Sequence, residues 1–485
     1  MAIGFENVGT LTGINGEQIS NPTSLQFGPD GRLYVTEQNG TINALTVTIE
    51  NGQYTILDHE VVTLANGLEA VKSIQNHNDD GSLSGQSNRQ VTGIVVTGTE
   101  DNPVLYVSSS DPRIAQNGEQ NLDTNSGTVT QITWTGTEWE AVDIIRGLPR
   151  SEENHATNDM ILSPDGSKLY VMNGGNTNNG APSSFFSFTG EYALSGTMLE
   201  IDLDAIAALP ILTDDDAGQG GNARQFVYDL PTLDDPNTPN VTDGVGEDAN
   251  GLDEDGPFGG RDGLNMGILP ADAPLRIFAD GFRNPYDVVQ TPDGKFYTVD
   301  NGSNGNLGGN PVVDGNGEPT QDPNQGGTGD PEPLFLIEDG GYYGHPNPTR
   351  ANQNLEWTVY NDNGDPDGNV GTNTVPDLSD LVPDGVDIAD GFLIDPSKFT
   401  GDATRLAQSG VRVERDSAES NSIINVGSST NGITYYEEGA FDGALDGALI
   451  AGSFNGNLVF YKLNDDGTGL EPIIDPGDDG VLGTA

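Results

Sequence analysis

The sequence predicts an all-β fold, a β-propeller with long acidic loop insertions, and three observations point there. Three segments, 25–35, 160–171 and 288–299, share one pattern: an apolar alternating run, a Pro-Asp-Gly turn, and a second run rich in β-branched and aromatic residues. Proline presets φ at such a turn and glycine accepts the positive φ that closes it, so each segment reads as a β-hairpin. Two further hairpin-like segments, 91–107 and 432–461, lack the turn signature but keep the alternation. The one helical signal is short, Leu203 to Leu209, and Pro210 ends it.

Five hairpin-bearing units at wide, irregular spacing suit propeller blades with long loops better than the shorter, more even spacing of a β-sandwich. The whole of 1–485 reads as one propeller domain, with insertions at about 213–264, 303–332 and 350–425, all rich in Asp, Asn, Gly and Pro. Long loops in a compact domain are usually functional or ordered by metal; mobile acidic decoration is the plainer alternative for each.

The composition narrows the function. The chain has 485 residues, 75 Asp and Glu against 18 Lys and Arg, a formal net charge of −57, and no cysteine. So large a negative field opposes nucleic acid and anionic membrane surfaces. Without cysteine there are no disulfides, thiolate catalysis or iron–sulfur clusters, and four histidines are few for a His-rich metal centre. No stretch approaches the ~18 apolar residues of a membrane span. The start, MAIGFENVGT, lacks the pattern of a secretory signal. The acidic, Asp/Gly-rich composition fits a calcium-rich extracellular or cell-surface setting, where divalent cations screen the charge.

Several residues carry candidate chemistry. His155, just ahead of the second Pro-Asp-Gly hairpin, would stand at an inner-strand start near the axis, where an imidazole of ordinary pKa near 6.5 suits a general base; a structural histidine is the plainer reading. Arg283 and Asn284 hold the equivalent place before the third hairpin. A guanidinium there could clamp a carboxylate or steady an oxyanion, against the alternative of a salt bridge to one of many acids. The turn from Asp300 to Gly305 offers oxygens to calcium. Asp243, Glu247, Asp248, Asp253, Glu254 and Asp255 crowd one insertion, and Asp362, Asp365 and Asp367 another, as hard-oxygen candidates for structural calcium.

Together these motifs resemble the soluble pyrroloquinoline-quinone-dependent glucose/sorbosone dehydrogenase family. The likeness runs through 22–42, 155–202 with Ser195 to Asp202, Gly256 to Gly260, Phe278 to Pro285, and Leu336 to Pro346, which is similar to that family's Gly-Gly-Asn-Tyr-Gly-Trp-Pro. The resemblance implies a six-bladed propeller with quinone and calcium on its axis, oxidising a sugar or related alcohol. It casts His155 as the base, Arg283 and Asn284 as quinone contacts, and Gly302 and Ser303 as carbonyl ligands of calcium. Gln90 falls, by a loose alignment, on a cofactor-contacting position.

The departures matter equally. Gly174-Gly175 stands where the family has Gly-Asp, Asn455 where it has a cofactor-binding Lys, and the chain stops before a sixth blade that would bring basic residues to the quinone. Three lost charge-assisted hydrogen bonds, at roughly 1.5–3 kcal/mol each, would weaken quinone binding by orders of magnitude. Two functions are therefore expected side by side. One is a quinone- and calcium-dependent dehydrogenase acting on a sugar; the other is a non-catalytic, calcium-stabilised propeller module of a large secreted or surface protein, with a sugar or glycan as its ligand. A ring ending here would leave strand edges open, so further chain, another chain or the segment 1–20 is expected to complete it.

Overall fold

The computed structural model describes residues 11–213, 224–233, 252–253, 273–312, 323–347 and 422–471, apart from short gaps, together with positions 267 and 269. Each hairpin legible in the sequence opens one sheet, antiparallel apart from an outer parallel pair in the first and second, and the sheets are propeller blades. The blades' inner strands are Pro22–Phe27, Gln90–Gly98, Thr157–Leu162, Pro285–Gln290 and Thr430–Tyr436. The next strands step outward in chain order, Thr12–Gly13 at the outer edge of the first blade and Leu212–Thr213 outside Gln225–Asp229 in the second excepted; in the third blade the order runs Thr157–Leu162, Lys168–Asn173, Thr197–Asp202, Leu275–Asp280.

The turn chemistry is realised as the sequence requires. Gly31, Gly166 and Gly294 close the three Pro-Asp-Gly turns at φ of 76°, 74° and 88°, conformations that a residue with a Cβ adopts only at a cost. The short helix is Leu203–Ala208, capped by the Asp202 carboxylate, which accepts from Ala205 N at 2.9 Å.

Apolar residues at alternate positions bury between blades. Val95, Val129, Ile145, Val171, Leu199 and Ile277 form one core between the second and third blades; Met198, Phe278, Phe282, Phe335 and Tyr343 form another between the third and fourth. Successive inner strands pack on one another from first to fifth, and the second strand of a blade packs on the inner strand of the next.

Among the described residues there are five blades, not the six that the family resemblance implies. The five hairpin units in the sequence account for one blade each. Among the described residues the inner strand of the fifth blade does not pack on that of the first as successive inner strands do, and Leu25 and Phe27 on the first inner strand are 62% and 51% exposed. No helix among the described residues is long and apolar enough to cross a membrane.

The insertion at 303–332 is ordered where it is described. Asn178 Nδ2 donates to the Asn304 and Gly308 carbonyls, both at 2.8 Å, and Asn324 N donates to Pro182 O at 3.0 Å. These bonds dock it on the loop following the third blade's second strand. The remaining insertions lie largely outside the described residues; in the first, Thr232–Leu233 pairs with Leu252–Asp253.

Candidate functional site

All five inner strands begin at the same end of the ring, and the residues at those starts enclose a cavity of about 530 Å³. The first blade contributes Asn21 to Thr23, the second Gln90, the third Glu153 to His155, the fourth Arg283, Asn284 and Tyr286, and the fifth Asn431. Four candidates from three distant segments thus meet at one place: Gln90, His155, and the consecutive Arg283 and Asn284. Gly302 joins them from the turn after the fourth blade's second strand, Phe296–Asp300, and Phe185 and Phe186 complete an aromatic wall.

His155 is 3% exposed and packs on Phe186, with ring centroids 5.1 Å apart. Its Nδ1 lies 2.8 Å from the carbonyl oxygen of Gly175. A carbonyl only accepts, so Nδ1 carries the proton and Nε2 keeps its lone pair. Burial, followed by the Arg283 guanidinium, holds its pKa well below the ordinary histidine value. The ring is therefore neutral through the physiological range, an available but weak proton acceptor.

The loop that carries His155 is built around Arg150. This fully buried guanidinium donates to the carbonyls of Ser151, Glu153 and His155, to Arg113 O at 2.7 Å and to Gln90 Oε1 at 3.2 Å. Burial lowers its pKa to about 10, which still leaves it charged. One side chain thereby fixes both the base loop and Gln90.

Arg283 is 4% exposed; its Nε and Nη2 donate to Asn178 O and Oδ1, both at 2.9 Å, and Nη1 to Asn301 O at 3.4 Å. Buried Asp300 orients the neighbouring backbone, accepting from Arg283 N at 2.9 Å and Asn284 N at 2.7 Å. Asn284 Oδ1 accepts from Asn158 Nδ2 at 2.9 Å, tying the fourth blade to the third.

Gly302 and Ser303 part company. Gly302 lines the cavity, and a Cβ there would stand 2.3 Å from Asp330 O, so only glycine passes. Ser303 turns into its own loop: its carbonyl accepts from Asp330 N at 3.0 Å and its hydroxyl donates to Asp330 Oδ2 at 2.5 Å. Asn455, Asp248 and Asp255, and the side chain of Asp253, lie outside the described residues. Among the described residues, no group of three or more His, Asp or Glu side chains is placed to hold a metal.

Asn178, Arg150, Phe186 and Glu191 were not singled out by sequence reasoning. Their signal was faint: each sits in a loop whose pairing partner is distant in sequence. Asn178 and Glu191 fall within the polar stretch after Gly174-Gly175, where the composition alone reads as a loop.

A tricarboxylate quinone does not fit the described wall. Arg283 is its one cation, facing the carboxylates of Glu153 and Glu332, while asparagine and glutamine side chains make up much of the rest. Charge pairing is what would hold such a polyanion, and here it is outweighed.

No family profile matches the chain, and no curated protein matches it in sequence. Solved structures similar to it include the calcium structure of a carbohydrate-active enzyme from Trichoderma reesei, at 12% identity over 95% of this chain and 82% of that one, with a TM-score of 0.44. They also include the PQQ-bound aldose sugar dehydrogenase of Streptomyces coelicolor, at 12% identity over 96% and 82%, TM-score 0.41. The holo PQQ domain of pyranose dehydrogenase from Coprinopsis cinerea shares 12% identity over 95% and 78%, TM-score 0.40.

Proposed function

We propose that the axial cavity binds a neutral sugar or glycan end, with His155 placed to accept a hydrogen bond, or a proton, from one of its hydroxyls. The observation that supports this most is the wall itself. Gln38, Gln90, Asn154, Asn284, Asn301 and Asn431 line it with amide groups, some of them already held by neighbours, as Asn431 Oδ1 is by Asn301 Nδ2 at 2.7 Å, and Phe185 offers an apolar face. Amides match hydroxyls that both give and take hydrogen bonds, and aromatic faces cover the apolar face of a sugar ring. An acidic chain of −57 repels anionic ligands and leaves neutral ones untouched.

In this reading Nε2 of His155 is the acceptor because Gly175 O holds Nδ1–H. Arg283 lies alongside to steady any negative charge that grows on the hydroxyl oxygen. The expected setting is extracellular, where calcium is available to the acidic insertions.

Calorimetric titration with a panel of neutral mono- and oligosaccharides tests the proposal. Binding in the millimolar to micromolar range is expected, about −4 to −8 kcal/mol. Asn284→Leu should weaken it at least tenfold. Failure of every sugar to bind at millimolar concentration would refute it.

A second reading, a quinone- and calcium-dependent sugar dehydrogenase, takes support from the grouping of His155, Arg283 and Gly302 at one cavity and requires that cations beyond the described wall hold the quinone. It predicts micromolar pyrroloquinoline quinone binding and reduction of an artificial acceptor by aldoses, both lost in His155→Ala.

A further inference from the structure

Directly behind His155 lies a buried pair that the cavity wall does not include. Glu191 and His345 are 0% and 1% exposed, and His345 Nε2 is 2.8 Å from Glu191 Oε1. Glu191 also accepts from Asn176 N at 3.1 Å, from Thr177 N at 3.0 Å, from the Thr177 hydroxyl at 2.6 Å, and from the Ser195 hydroxyl. One carboxylate therefore gathers the backbone of the segment immediately after Gly175, the residue whose carbonyl takes the His155 Nδ1 proton. Gly175 N is fixed from the other side by Arg283 O at 2.6 Å.

Position 175 has no side chain, and a Cβ built there would stand 3.1 Å from both Glu191 Oε1 and His345 Nε2. The space that a side chain at 175 would enter is already bordered by a carboxylate supplied from residue 191. Buried carboxylates are retained where a charge must be held in place, and this one has five donors to hold it. Burial alone would raise its pKa, but His345 and the hydroxyl donors hold it at about 2, so it is ionised at neutral pH.

We infer that Glu191, anchored by His345, is the positioning carboxylate of His155, acting through the 175–177 backbone to keep Gly175 O on Nδ1 and so keep Nε2 free toward the cavity. The inference rests on the proposed role of His155, but it concerns the tautomer of that ring rather than any ligand.

The test is ¹⁵N NMR of the imidazoles in the ligand-free chain, which has only four histidines to assign. The wild type should show a protonated-type Nδ1 and an unprotonated-type Nε2 for His155. Glu191→Gln keeps the shape but removes one acceptor oxygen, and the two His155 resonances should move toward each other as the second tautomer is populated. Gly175→Ala leaves Glu191 intact and displaces the pair sterically, so it should produce the same shift even if Glu191→Gln does not fold.

A merely structural carboxylate would lower the melting temperature without moving these resonances. Wild-type His155 resonances in a folded variant of either kind would overturn the inference, as would an Nε2-protonated His155 in the wild type. Sugar titration of the same samples separates the two questions: absence of binding with the predicted tautomer shift would sink the sugar reading and leave Glu191 in its role.

Discussion

Gly174 shows how little room the site leaves. A Cβ there would lie 2.7 Å from the His155 Cβ and 2.8 Å from Asn284 Oδ1. Gly174→Ala must therefore push the third and fourth blades apart or tilt His155, and it is expected to cost about 1–3 kcal/mol. Denaturant unfolding measures that cost, and sugar titration should show a matching loss of affinity. Asp123 makes a different statement at the same scale. It is fully buried, its Oδ1 accepts from Asn125 N at 2.8 Å, and its Oδ2 has no partner among the described residues. Burial raises its carboxyl from 3.8 to about 7, with the charge of Asp111 adding to it. The folded chain then holds this proton more tightly than the unfolded chain does. Its contribution to stability is complete below about pH 4 and is lost as the pH rises through 7. Asp123→Asn, neutral throughout, should lose less melting temperature than the wild type between pH 5 and pH 9. Parallel curves for the two proteins would count against a protonated Asp123.

At the scale of elements, the hairpins were legible because their turns are written in three residues. Gly166 and its counterparts Gly31 and Gly294 have open space around the missing Cβ, so alanine there meets backbone strain alone. Each replacement is expected to cost roughly 1–2 kcal/mol by thermal or chemical unfolding. The strands of the second and fifth blades were readable from alternation without that signature. The positions of His155, Arg283 and Asn284 followed from the same repeat, since each precedes a recognisable inner strand. The loops were another matter. The docking of 303–332 on the 178–184 loop depends on single groups, such as the Asn178 side-chain amide and the Asn324 backbone N–H, finding carbonyls more than a hundred residues away. No local pattern encodes such a pair. The ordinary histidine pKa expected from the sequence failed for a similar reason: burial and a guanidinium brought in from another blade lower it. The sequence shows that Gly174-Gly175 carries no acid, while the nearness of the Glu191 carboxylate is a property of the packed loop.

At the scale of the whole molecule, the inner strands of the first and fifth blades do not, among the described residues, pack on one another as neighbouring inner strands do. Leu25, Phe27 and, on the fifth blade, Leu458 are 62%, 51% and 57% exposed. If water covers that face in solution, Leu25→Ser and Phe27→Ser should each change stability by less than about 0.5 kcal/mol. Losses of about 2 kcal/mol or more would mean that the face is covered and that the ring is completed against it. The same geometry explains why the site gathers at one end. Blades that start in the same direction around an axis bring their first residues together whatever lies between them in sequence, so a five-part wall arises from repetition.

In the proposed function this wall receives a neutral sugar at His155. The most direct measurement is the imidazole ¹⁵N spectrum of His155 during titration with a binding sugar and, separately, with pyrroloquinoline quinone. The sugar is expected to move the Nε2 resonance while Nδ1 stays hydrogen-bonded to Gly175, and the quinone to move neither at micromolar concentration. A His155 spectrum unmoved by any sugar but shifted by micromolar quinone would contradict the proposed function.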